Sequence, residues 1–169
     1  MDFLQQSLLI LLLVSISAFF SVAEISVAAS RKSRLAVLAE NGDEGAARVL
    51  ALQARPGPFF TLVQIGLNAV AIMGGIVGEG VFSPWLEGAL AHWAPAAYVD
   101  TLAFALSFVV VTSLFILFAD LMPKRLGMAA PERLAMAVAA PMSVLIRWLR
   151  PLLWLYNEAA DLLFRLLGV

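Results

Sequence analysis

The residues able to do chemistry in this sequence are oxygen-bearing side chains set inside stretches otherwise too apolar for them. Ser17, Ser21 and Glu24 stand at i, i+4 and i+7, the spacing of one helical face. Thr61, Gln64 and Asn68 repeat that three-and-four spacing, and Asp120 follows Ser113 by one heptad. Two carboxylates with hydroxyls and amides make an oxygen-only, anionic ligand set, suited to Mg²⁺, Na⁺ or an ammonium group and not to an anion. Burying two such acids is costly unless a positive charge joins them or they are protonated. An acid inside a membrane span is therefore a functional-site hypothesis from the outset.

The elements that must position these residues follow from composition. Hydrophobic residues make up 62% of the 169-residue chain and charged residues 14%, with mean hydropathy +0.93. A soluble domain of this size has too much surface to hide that apolar excess, so the lipid bilayer is its partner. Spanning takes about 20 apolar residues as a helix, and segments at about 4–29, 58–81 and 101–122 qualify. The first lacks a basic n-region and outruns a signal peptide's apolar core, so it reads as a retained span. Arg31, Lys32, Arg34, Arg48 and Arg55 lie between the first two spans and Lys124, Arg125 and Arg133 follow the third, whereas 82–100 has no Lys or Arg. The positive-inside rule then puts the N-terminus outside and the C-terminus in the cytoplasm. At 1.5 Å per residue, Glu24 lies about 10 Å from Arg31 and Asp120 about 6 Å from Lys124, which brings both acids to the cytoplasmic half of one cavity.

Other classes are excluded by what is missing. There is no Cys, His92 is the single histidine, and no nucleophile–base pair assembles, so an enzyme is not expected. Net charge of −1 gives no case for nucleic acid. The connection at about 31–55 reads as two cytoplasmic helices broken at Asn41-Gly42-Asp43, with Asp43 as N-cap. The segment at about 131–168 carries Arg147 and Arg150 mid-stretch and is interrupted by Pro141 and Pro151. A juxtamembrane belt of amphipathic helices, anchored by Trp148, Trp154 and Tyr156, suits it better than a fourth span. Gly66, Gly74, Gly75 and Gly78 read as close helix-packing positions. Simpler roles for the acids are a pair between Asp120 and Lys124 and one between Glu24 and Arg31 or Lys32. Glu79, near the outer end of the second span, reads as solvated.

Three segments in order carry a family resemblance: Ser17-Ala18-Phe19-Phe20-Ser21-Val22-Ala23-Glu24, Gln64-Ile65-Gly66-Leu67-Asn68, and Phe118-Ala119-Asp120-Leu121-Met122-Pro123-Lys124-Arg125. With them the chain resembles the transmembrane domain of the CNNM/CorC family. The resemblance implies an all-α integral membrane fold of three spans plus a cytoplasmic helical belt, assembled as a homodimer in the bacterial inner membrane. Members usually continue into cytosolic CBS modules, so the chain is expected to be a membrane domain cut from a longer polypeptide.

In magnesium-handling members a Ser-Gly-Ser-Glu stretch, an Asn and a Gly-Glu pair hold the ion. Here Ser21, Glu24 and Asn68 match, while Val22, Ala23 and Ala119 depart and Asp120 replaces Glu. Lost glycines stiffen the backbone and a lost serine removes a ligand, which poorly serves a Mg²⁺ wanting near-octahedral oxygens. The run 64–80 and the Ser-Arg-Lys at 30–32 are more similar to the polyamine-exporter branch. The implied function is efflux of cadaverine or putrescine through Ser17, Ser21, Glu24, Gln64, Asn68, Ala119 and Asp120. The alternatives are Mg²⁺ export coupled to Na⁺ entry, through Ser21, Glu24, Asn68 and Asp120, and a non-transporting anchor for regulatory modules. No cofactor is implied beyond bound Mg²⁺ or Na⁺.

Overall fold

All regular elements in the computed structural model, which describes residues 3–167, are helical. Helix α1 covers Phe3–Ala29, α2 Lys32–Glu40, α3 Glu44–Ala54, α4 Pro56–Leu90 and α5 Ala96–Leu114. A π-helical segment, Phe115–Leu121, leads into α6 (Met122–Ala129), followed by α7 (Pro131–Trp148) and α8 (Arg150–Leu166). Three helical runs are long and apolar enough to cross a membrane: Leu4–Ala29, Pro56–Leu90 and Ala96–Ala129. The α7–α8 pair, bent by 78°, raises the count to four if taken as one broken span. At most 28% of the apolar window in any of the three runs is buried, so most of that surface is left for lipid to cover.

The second and third runs exceed the segments expected from hydropathy. At 35 residues, α4 is about 50 Å long, well beyond a hydrocarbon core of about 30 Å. It continues through Pro84 to Leu90, leaving only 91–95 as the connection to α5. Pro141 likewise lies inside α7 without breaking it, and the break falls instead between Trp148 and Arg150, with Pro151 in the first turn of α8. That position tolerates proline because the first helical N–H groups have no intrahelical partner. Residue 168, the end of the expected belt, lies outside the described residues.

The π-helical segment lies just before a proline. Pro123 has no N–H, and its ring crowds the carbonyl four residues back, that of Ala119. Five-residue hydrogen bonding takes over just before it, as where the Met122 N–H donates to the Leu117 carbonyl. The wider turn changes register. The π-helical segment begins between Ser113 and Asp120, and the Ser113 hydroxyl donates to Val109 O at 2.7 Å.

The chain forms two compact units, to both of which α1 and α4 contribute. The first unit comprises Met1–Ala18 and Leu67–Pro123. Within it, a Cβ at Gly74 would overlap the Phe115 ring and one at Gly78 the Val111 side chain, so these glycines let the helices touch. Gly75 has nothing within 4 Å of where its Cβ would lie.

The second unit comprises Phe19–Gly66 and Lys124–Val169. The turn between α2 and α3 needs Gly42, at φ +91°, and Asp43 then caps α3 by accepting from the Ala46 N–H at 3.0 Å. Helix α3 packs on both α2 and α7, burying Leu35, Val49, Leu52, Val138 and Met142. Each such side chain contributes about 1.5–3 kcal/mol. An Arg34–Glu132 ion pair at 3.7 Å joins α2 to α7. The Gln53 amide reaches from α3 to the Val27 and Ser30 carbonyls at 2.8 and 3.1 Å, satisfying acceptors that the end of α1 leaves open.

Candidate functional site

Glu24 belongs to the second unit, and the contacts around its carboxylate come from two other helices of that unit. The Gln64 amide of α4 donates to its Oε1 at 3.3 Å, and the Lys124 ammonium of α6 stands 3.5 Å from its Oε2. Both carboxylate oxygens thus face donors. The Glu24 side chain is 21% exposed and that of Lys124 33%, so both groups are partly desolvated. A charge-assisted contact gains weight in such surroundings.

Several small features set this geometry. Gly127 lies one turn beyond Lys124, and a Cβ there would overlap Ile25 and stand 3.4 Å from the Val22 carbonyl. The missing side chain lets α6 lie against α1 beside Glu24. Replacing Gly127 with Ala forces Ile25 or the helix itself to move. The expected cost is about 1–3 kcal/mol, read as a lower melting temperature of the purified chain. On α4, Gly66 accommodates the Phe20 ring of α1 in the same way. Thr61, one turn before Gln64, donates to Asn157 Oδ1 at 2.8 Å and so joins α4 to α8.

The remaining sequence-identified positions divide between the units. Ser21, on the Glu24 face of α1, is fully buried in the second unit. Ser17, Asn68, Ala119 and Asp120 belong to the first. Ser17 and Ala119 are buried there, Asp120 is half-buried on the π-helical segment, and Asn68 is exposed on α4. Among the described residues no three His, Cys, Asp or Glu side chains cluster as a metal site.

Sequence reasoning missed the cation at Glu24. It considered Arg31 and Lys32 as partners for that acid, but among the described residues the cation within 4 Å is Lys124, a hundred residues away. The Met-Pro-Lys sequence was in view, but its lysine was considered as a partner for Asp120; the close approach at Gly127 brings Glu24 within its reach as well. Gln53 was also missed, because nothing in a soluble-looking connection marks a glutamine as the closure of another helix.

Comparison with known proteins matches residues 8–169 to the Cyclin M transmembrane N-terminal domain, CNNM. The chain belongs to the CNNM family. It is 51% identical over 161 residues to a polyamine export protein of Salmonella typhimurium, covering 95% of this chain and 36% of that one. Identity to a polyamine export protein of Escherichia coli is 51% over 163 residues, covering 96% and 36%. A polyamine export protein of Haemophilus influenzae is 41% identical over 169 residues, covering 100% and 39%. This CNNM domain thus spans little more than a third of the length of these relatives.

Proposed function

We propose that this chain is the membrane domain of an exporter of small organic cations, with the diamines putrescine and cadaverine as substrates and Glu24 as acceptor of one ammonium group. The observation that carries the reading is the contact between Glu24 and Lys124. The end of a lysine side chain is a primary alkylammonium on a methylene chain, the same group that terminates a diamine. A carboxylate already arranged to hold one, with Gln64 as an additional polar neighbour, has the chemistry to hold the other. The names of the polyamine-exporting relatives point to the same substrate class. Ser17, Asn68 and Asp120 are assigned cation-binding roles on their spacing in the sequence and the family resemblance, and Ala119 on the resemblance alone.

The topology proposed is three spans with the N-terminus outside, α2–α3 in the cytoplasm and α7–α8 as a belt at the cytoplasmic interface of the bacterial inner membrane. Support for the belt comes from the packing of α7 on α3 and the Arg34–Glu132 pair, which hold α7 to a charged connection. Arg147 and Arg150 at the bend add to it, since an arginine at bilayer centre costs about 2.5–3.5 kcal/mol. The functional assembly is proposed as a homodimer carrying cytosolic CBS modules on the rest of the polypeptide.

Thermal unfolding in detergent against putrescine, cadaverine, Mg²⁺ and Na⁺ tests the substrate. A ligand at a hundred times its dissociation constant stabilises the folded state by about 2.7 kcal/mol. A diamine-dependent rise in melting temperature is the expected result. A rise with Mg²⁺ and none with diamines returns the chain to divalent-cation export, and no response to any ligand favours a membrane anchor.

A further inference from the structure

We propose that the cleft between the end of α3, the start of α4 and the α7–α8 bend binds the headgroup of an anionic phospholipid. The cleft lies entirely within the second unit and has a volume of about 740 Å³. Arg55, Arg147 and Arg150 line it, and no Asp or Glu does. These three guanidiniums have no ion pair among the described residues, whereas Arg34 and Arg48 are paired with Glu132 and Glu44. Three like charges turned toward one concavity repel each other unless an anion joins them.

The rest of the wall decides which anion. It is chiefly apolar, with Leu153 and Trp154 from α8 and Asn157 as a hydrogen-bonding group. Asn157 is itself engaged by Thr61, which fixes α8 against the start of α4. A soluble phosphate would leave this apolar wall in water. A phospholipid places its phosphate on the guanidiniums and its acyl chains along the exposed Trp154 indole and the partly exposed Pro58 and Ile146. Basic pockets of this kind beside membrane helices take anionic headgroups, and indoles settle at the same depth. Arginine suits the task because its planar fork donates two hydrogen bonds to one phosphate. The site is separate from Glu24 and stands whether or not the chain exports diamines.

Native mass spectrometry of the delipidated chain in detergent, titrated with phosphatidylglycerol or phosphatidylcholine of identical acyl chains, tests the site. Each arginine near an anionic headgroup is worth about fivefold in affinity. The double variant Arg147→Gln/Arg150→Gln is therefore expected to lose about twentyfold or more for phosphatidylglycerol, with little change for phosphatidylcholine. Arg147→Lys/Arg150→Lys, which keeps the charges, retains most of the preference. Arg48→Gln, outside the cleft, leaves it intact. Equal binding of the two lipids by the unaltered chain overturns the proposal, as does an undiminished preference in the double glutamine variant. An equal loss with Arg48→Gln also overturns it, because diffuse surface charge then suffices. Full displacement of the lipid by millimolar inorganic phosphate assigns the cleft to a soluble anion instead.

Discussion

Glu24→Gln is expected to abolish diamine binding while leaving the chain folded. The substitution keeps shape and one acceptor oxygen but removes the charge that faces the Lys124 ammonium at 3.5 Å. A bound ammonium that loses its hydrogen-bonded carboxylate partner forfeits about 2 kcal/mol, so diamine affinity falls by about thirtyfold. The fold tolerates the change because the Lys124 side chain is 33% exposed and can take up water or a counter-ion. Isothermal titration with putrescine reads the affinity, and melting of the ligand-free protein separates loss of binding from loss of structure. Putrescine affinity within threefold of the unaltered chain would remove Glu24 from the site. In cells, the same variant is expected to lose diamine export and become sensitive to added cadaverine.

The parts of this architecture legible from sequence were those governed by long, additive signals. Three apolar runs announce three membrane-length helices whatever their neighbours, and Asn41-Gly42-Asp43 announces the turn before α3 because Gly42 must adopt a positive φ. Proline was less informative than its reputation. Pro84 and Pro141 sit inside continuous helices, since each removes only one hydrogen bond from a long ladder. Pro123 differs in having a π-helical segment just before it, which changes the register between Ser113 and Asp120 from that of a regular helix. The signal was present, but its consequence appears four residues upstream of the proline. The Glu24–Lys124 contact was illegible for a stronger reason. It depends on how closely α6 approaches α1, which Gly127 permits and which no pattern local to either residue encodes.

Substitution of Lys124 should move diamine affinity in opposite directions according to what replaces it. In the structure its ammonium stands at the carboxylate that a diamine end would need, so on the proposed function lysine is a tethered competitor for the site. A group on a short flexible tether acts at an effective concentration on the order of millimolar. An incoming diamine must displace it, and once the diamine leaves, the lysine can return and neutralise the acid. Lys124→Gln removes the competitor, and the expected result is about tenfold tighter putrescine binding with slower release. Lys124→Arg has the opposite effect, because a guanidinium fork can engage both carboxylate oxygens and is harder to displace. Titration calorimetry gives the affinities, and diamine efflux from preloaded vesicles gives the turnover. The sign pattern is the test. If Lys124→Gln weakens binding, the lysine holds the site together structurally instead of guarding it. The Glu24 assignment can survive that outcome, because it depends on the glutamine variant at position 24 alone. The proposed exporter would have reason to carry such a residue: a bare carboxylate within a span is costly when no substrate is bound, and a resident ammonium would cover it.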